Sequence, residues 1–187
     1  MALLLGGCDQ VREAVPGGDD GGPTINEGDF ELGEVRAVDP LERPDSGQKA
    51  QDSANRVLAL VNRYYTVAFL DPTRWVNGEH PELMGLFTAE AQPSVPPNLT
   101  HLAMSELWDQ IESVEPVSQR LSKISFLVEP DGSLPLGIAY ANFEGEGTSF
   151  EGGDVTIVHD AVFYLQREGE DYKIYAYTTR LAAEEAS

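Results

Sequence analysis

The apolar positions change period once along the chain. Asp52 or Ser53 can accept bonds from the first free amides of a helix. After them Val57, Val61, Tyr64 and Ala68 recur at helical spacing, and Leu58 and Tyr65 widen the stripe. Asp71-Pro72 ends this helix, because a residue before proline avoids the helical region. A loop through Trp75, Asn77 and Gly78 follows. Pro81 suits a first helical position, and Leu83, Met84 and Phe87 predict a short second helix. Pro93, Pro96 and Pro97 close that element. Thr100 caps a predicted third helix carrying Leu102, Ala103, Leu107, Trp108 and Ile111.

After Pro116 the period falls to 2. Ile124, Phe126 and Val128 alternate along one strand, which turns at Asp131-Gly132. Leu136, Ile138 and Tyr140 open a second strand. Gly145, Gly147, Gly152 and Gly153 predict a loose hairpin connection. In the third strand Val155, Ile157, Ala161, Phe163 and Leu165 share one face, and Val158, Val162 and Tyr164 the other. Glu168-Gly169-Glu170-Asp171 turns into a last strand, where Tyr172, Ile174 and Ala176 alternate with Tyr175 and Tyr177. Helices followed by a meander imply an α+β fold, with about three helices on one face of a curved, four-stranded, mainly antiparallel sheet.

Composition divides the 187 residues into three parts. Residues 9–52 hold 12 acids against 4 bases, with 7 Gly, 4 Pro and only 11 hydrophobic residues. Such a stretch buries too little apolar surface to offset its ordering entropy, so it reads as a flexible acidic tether. Within it, Phe30-Glu31-Leu32-Gly33-Glu34-Val35 alternates weakly, as an edge strand or packed arm would. Residues 53–187 hold 60 hydrophobic residues and 15 of the 16 aromatics, and read as the folded domain. The net charge of −20 excludes nucleic acid as a partner and excludes charge-driven adhesion to anionic lipid. One Cys excludes an intramolecular disulfide and any all-Cys metal site.

That Cys sits where a signal would end. Met1-Ala2-Leu3-Leu4-Leu5 is a short apolar run, and Leu5-Gly6-Gly7-Cys8 resembles the bacterial lipobox. The resemblance implies that residues 1–8 close a lipoprotein signal, that Cys8 receives a diacylglyceryl group, and that the protein is held on the extracytoplasmic face of the cell membrane. The run lacks a basic n-region and three Leu are too few for a full apolar segment, as expected if the sequence starts inside the true signal or was trimmed. Two acyl chains hold a protein stably where one does not.

A second resemblance covers about residues 53–182. The opening helix with Arg63-Tyr64-Tyr65 and Ala68-Phe69-Leu70, the Leu86-Phe87-Thr88 segment and the Tyr175-Ala176-Tyr177 strand look like the NTF2-like superfamily. The resemblance implies a cone of bent sheet with helices across its open side. It carries over a fold and no catalytic residue.

Candidate chemistry is sparse. His159 shares the predicted inner face of the third strand, where a neutral His can act as acid or base. Tyr140 and Tyr177 are the candidates to act with it, and Tyr64, Tyr164 and Tyr175 offer further polar handles. The competing reading is a hydrogen-bonded core His with aromatic sheet packing. Glu79, His80 and Glu82 offer metal ligands on paper, but acids at a helix start are explained by the helix dipole. Glu144, Glu146, Glu151 and Asp154 surround a Gly-rich connection without a calcium-loop spacing. No cofactor and no metal are expected. The expected function is a non-catalytic binding or interaction module of the cell envelope, its partner a small apolar ligand or an envelope protein. A pocket enzyme of isomerase or hydrolase type and a dimerising structural module, forming homodimers, remain the alternatives.

Overall fold

The structure is a computed structural model that describes residues 29–71 and 80–185. The fold is α+β. Its sheet has five strands in the order β1-β2-β3-β4-β5: Glu31–Val38, Ile111–Leu127, Leu136–Ser149, Asp154–Glu168 and Asp171–Glu185. Strands β2 to β5 form the expected antiparallel meander, and β1 adds to β2 in parallel. The sheet is thus mixed and five-stranded rather than four-stranded.

The extra strand comes from the segment that composition assigns to the tether. Edge strands need only one weakly apolar face, so an average over 44 residues hides one. Phe30 is buried, and Leu32, Val35 and Ala37 pack against the core. The backbone amide of Phe30 donates to Asn62 Oδ1 at 3.0 Å. Gly33 sits opposite the extra residue Ser122, between the pairs Leu32–Leu121 and Glu34–Lys123. A Cβ there would lie 2.5 Å from the Ser122 carbonyl oxygen. Only glycine allows this approach.

Helix α1 (Ser46–Tyr65) also starts earlier than Asp52 or Ser53. Asp45 precedes it but gives no side-chain cap; its carboxylate pairs with Lys49 at 2.8 Å. The entry is fixed one turn before. Asp39 accepts the backbone amides of Leu41 and Arg43 and the Arg43 guanidinium. The hydrogen-bonded guanidinium holds the Asp39 carboxyl well below the usual carboxylate range. Arg43 also donates to the carbonyls of Glu129 (2.7 Å) and Pro130 (2.8 Å), tying α1 to the β2–β3 turn. At its other end α1 runs into a wider turn, residues 66–70, that buries Val67, Ala68, Phe69 and Leu70.

Helices α2 (Pro81–Met84) and α3 (Leu99–Ala103) are short. Ile111, expected in the third helix, begins β2 instead. Pro116 therefore lies within a strand, at one of three register shifts in β2, where a missing N–H is tolerated and the strand bends. Gly145 and Gly147 lie within β3, not in the hairpin connection, which is the turn at Phe150–Gly153. The reason is packing: a Cβ on Gly145 would stand 2.9 Å from the Phe143 ring. A bulge opposite Tyr164 and Leu165 also breaks the alternation of β5, so Tyr175 faces outward and Tyr177 pairs with Phe163 on the inner side.

The core lies between the inner face of the sheet and α1 with the 66–70 turn. Among the described residues no helix is long and apolar enough to cross a membrane. Replacing Gly33 with Ala forces β1 away from β2. We expect a loss of about 1–3 kcal/mol of stability, measured as a lowered urea midpoint at unchanged slope.

Candidate functional site

His159 is the only histidine with no exposed surface, and it stands in the middle of the inner face. Its neighbours along β4, Ile157, Ala161, Phe163 and Leu165, are buried as the period of 2 requires. Phe143 pairs with it across β3. The last turn of α1 delivers Tyr64 and Tyr65, and the following turn delivers Phe69. The His159 ring centroid lies 4.9 Å from Phe69, 5.5 Å from Tyr65 and 6.3 Å from Tyr64. All of these side chains are fully buried.

Both imidazole nitrogens are engaged. Nε2 lies 3.1 Å from the His101 carbonyl oxygen and Nδ1 2.8 Å from the Tyr65 hydroxyl. A carbonyl only accepts, so Nε2 carries the proton and Nδ1 accepts from Tyr65. Burial pushes the His159 pKa down to about 4, against the smaller upward pull of the His101 carbonyl and Asp160. Burial likewise pushes the Tyr64 and Tyr65 phenols well above their usual value. The cluster is uncharged at neutral pH.

The carbonyl that His159 reaches belongs to a helix end. The last carbonyls of a helix have no partner within it. In α3 three consecutive ones are met by side chains from elsewhere: His101 by His159 Nε2, Leu102 by the Tyr64 hydroxyl and Ala103 by the Trp108 indole N–H. His159 and Tyr64 thus act as caps for α3 from β4 and α1. The chain then turns at Met104, with φ of +46°.

The other sequence candidates are not brought to His159. Tyr140 lies on the outer face of the sheet, 40% exposed. Tyr177 is half-buried on the inner face, and its hydroxyl donates to the Ser94 carbonyl at 3.1 Å. Tyr164 and Tyr175 pair with each other on the outer face, ring centroids 6.2 Å apart. His80 packs on Trp108, with ring centroids 4.3 Å apart, and Glu82 pairs with Arg63. Glu79 and Cys8 lie outside the described residues. Glu144 and Glu146 are exposed on the outer face of β3, while Glu151 and Asp154 border the hairpin turn. Among the described residues no three acids, His or Cys are grouped to hold a metal ion. A surface cavity of about 550 Å³ opens there instead, lined by Leu107, Asp109, Ile111, Phe150, Glu151 and Asp154. The residue that sequence reasoning missed is Tyr65, read only as part of a helical stripe. The available signal was its position beside Tyr64, at the end of the stripe that must cover His159.

No family model matches the chain, and no curated protein matches it. Among solved structures, a candidate aromatic ring hydroxylase from Novosphingobium aromaticivorans is similar over 72% of this chain and 94% of that one. The identity is 12% and the TM-score 0.49.

Two outcomes follow from the His159 environment. Tyr65→Phe leaves Nδ1 buried without a donor and is expected to cost about 1–3 kcal/mol, read by chemical denaturation. The pH dependence has a definite sign. A His whose folded pKa is below its unfolded value of about 6.5 binds its proton more readily when unfolded. Its contribution is complete above pH 6.5 and is lost as pH falls toward 4, by about 3 kcal/mol in all. The difference between wild type and His159→Gln, measured from pH 7 to pH 4, isolates it from the titrating surface acids.

Proposed function

We propose that this chain is a lipid-anchored, extracytoplasmic module of a bacterial envelope that acts by binding rather than by catalysis. The observation that carries the non-catalytic reading is the commitment of both His159 nitrogens to structure inside a filled aromatic interior. A general base must reach a substrate proton, and His159 has no exposed surface from which to do so. The pocket-enzyme alternative would need Tyr65, Phe69 and the 66–70 turn to move away together.

The domain is of the NTF2-like cone type in this reading. Support comes from the long helix across one face of the sheet and from three register shifts that bend β2. Support for the anchor comes from Leu5-Gly6-Gly7-Cys8 and from the acidic, glycine-rich residues that follow. Expressed from its full-length gene in a bacterium, the protein is expected in the membrane fraction, and Cys8→Ala in the soluble fraction. A variant that stays on the membrane would refute the anchor.

A second reading, a self-associating module, is favoured by the outer face of the sheet. Leu127, Leu136, Tyr140, Val158 and Tyr175 are each 37–40% exposed there. Large apolar groups exposed on one sheet face offer area for association. Sedimentation of the soluble Cys8→Ala protein is expected to show a concentration-dependent dimer, and Tyr140→Lys to return it to monomer. A monomer at every concentration would set this reading aside.

A further inference from the structure

Two arginines reach the same turn of the fold, and neither forms an ion pair among the described residues. Arg56 reaches from α1 and donates through Nη1 to the Glu170 carbonyl. Arg167, at the end of β4, donates through Nε to the Gly169 carbonyl at 3.0 Å. The acceptors are consecutive residues of the β4–β5 turn, and both arginines line one groove. Among the described residues neither arginine forms an ion pair, although Glu168, Glu170 and Asp171 lie in or beside the same turn. The neighbouring bases differ: Arg43 is paired with Asp39 and Lys49 with Asp45.

The two heads open onto a groove of about 290 Å³, lined by Lys49, Asp52, Ser53, Arg56, Ser133 and Arg167 over Gly132 and Leu134. Its one carboxylate, Asp52, accepts the Gln48 side-chain amide at 2.9 Å. Gly132 keeps the floor open. It has φ of +82°, and a Cβ there would stand 3.2 Å from Lys49 Nζ. Like charges drawn together in one groove repel unless a counter-charge joins them. A guanidinium offers a planar fork of N–H donors that matches paired oxygens on an oxyanion. Each arginine spends a single N–H on the turn. Two forks lining one groove suit a group with more than two oxygens.

We infer that this groove binds the phosphate group of a small solute, with Arg56 and Arg167 as its principal ligands and Lys49 and Ser133 at its rim. The site is separate from the His159 cluster and independent of the lipid anchor. The test uses the soluble full-length Cys8→Ala protein and inorganic phosphate, titrated at constant ionic strength with chloride as the balancing ion. The Nε–Hε resonances of Arg56 and Arg167 are expected to shift saturably, with a midpoint in the millimolar range. Both side chains are exposed, so Arg56→Gln and Arg167→Gln preserve the fold. Each is expected to weaken binding at least about tenfold. Arg120→Gln removes an equal charge from an exposed position on β2 and is expected to leave the midpoint unchanged. A shift that rises linearly without saturating, or a midpoint unaltered in both groove variants, overturns the proposal.

Discussion

The fold depends on where one buried imidazole places its two nitrogens. His159 stands on the inner face of a sheet that a single long helix must cover. A polar ring in that position costs free energy unless both nitrogens find partners. One partner is the Tyr65 hydroxyl on α1, and the other is the His101 carbonyl in α3. These bonds fix three elements at once: the rotation of α1, the register of β4 and the height of α3. A helix of five residues has no stability of its own. It persists because its terminal carbonyls are met from α1, from β4 and from Trp108. The aromatic rings around His159 then exclude water, which strengthens the same bonds.

What was legible in the sequence follows from what is local. The period of 2 on β4 placed His159 on the inner face without any knowledge of its partners. Proline at position 81 marked a real helix start. The partner carbonyl of His101 was not legible, because backbone groups carry no sequence signature. Strand β1 was only faintly legible, because its pairing is parallel and spans about 90 residues of chain. Its anchors are single residues, Phe30 tilted against Tyr65 with ring centroids 4.6 Å apart and Gly33 against Ser122. Gly145 and Gly147 read as a turn because glycine has two uses, and the second, room for a neighbouring ring, is visible only in three dimensions. Tyr177 changed face through a bulge, which shifts every later residue of β5 without altering the pattern by which a strand is recognised.

The placement of charge is altered by the same corrections. With the described fold starting at Asp29, residues 9–28 carry five acids and one base, and the remaining chain holds 27 acids and 11 bases. A random coil of 20 residues spans about 25 Å. The field of a charged membrane decays over about 8 Å at physiological salt. A lipid at Cys8 would therefore hold the acidic domain beyond the reach of headgroup repulsion, and covalent attachment would not have to work against it. The chain enters the domain at Asp29, which accepts the Asn62 side-chain amide near the C-terminal end of α1. The groove between Arg56 and Arg167 lies toward the other end of that helix, with Lys49 about 20 Å along the axis from Asn62. The groove is therefore set apart from the point at which the chain enters the domain.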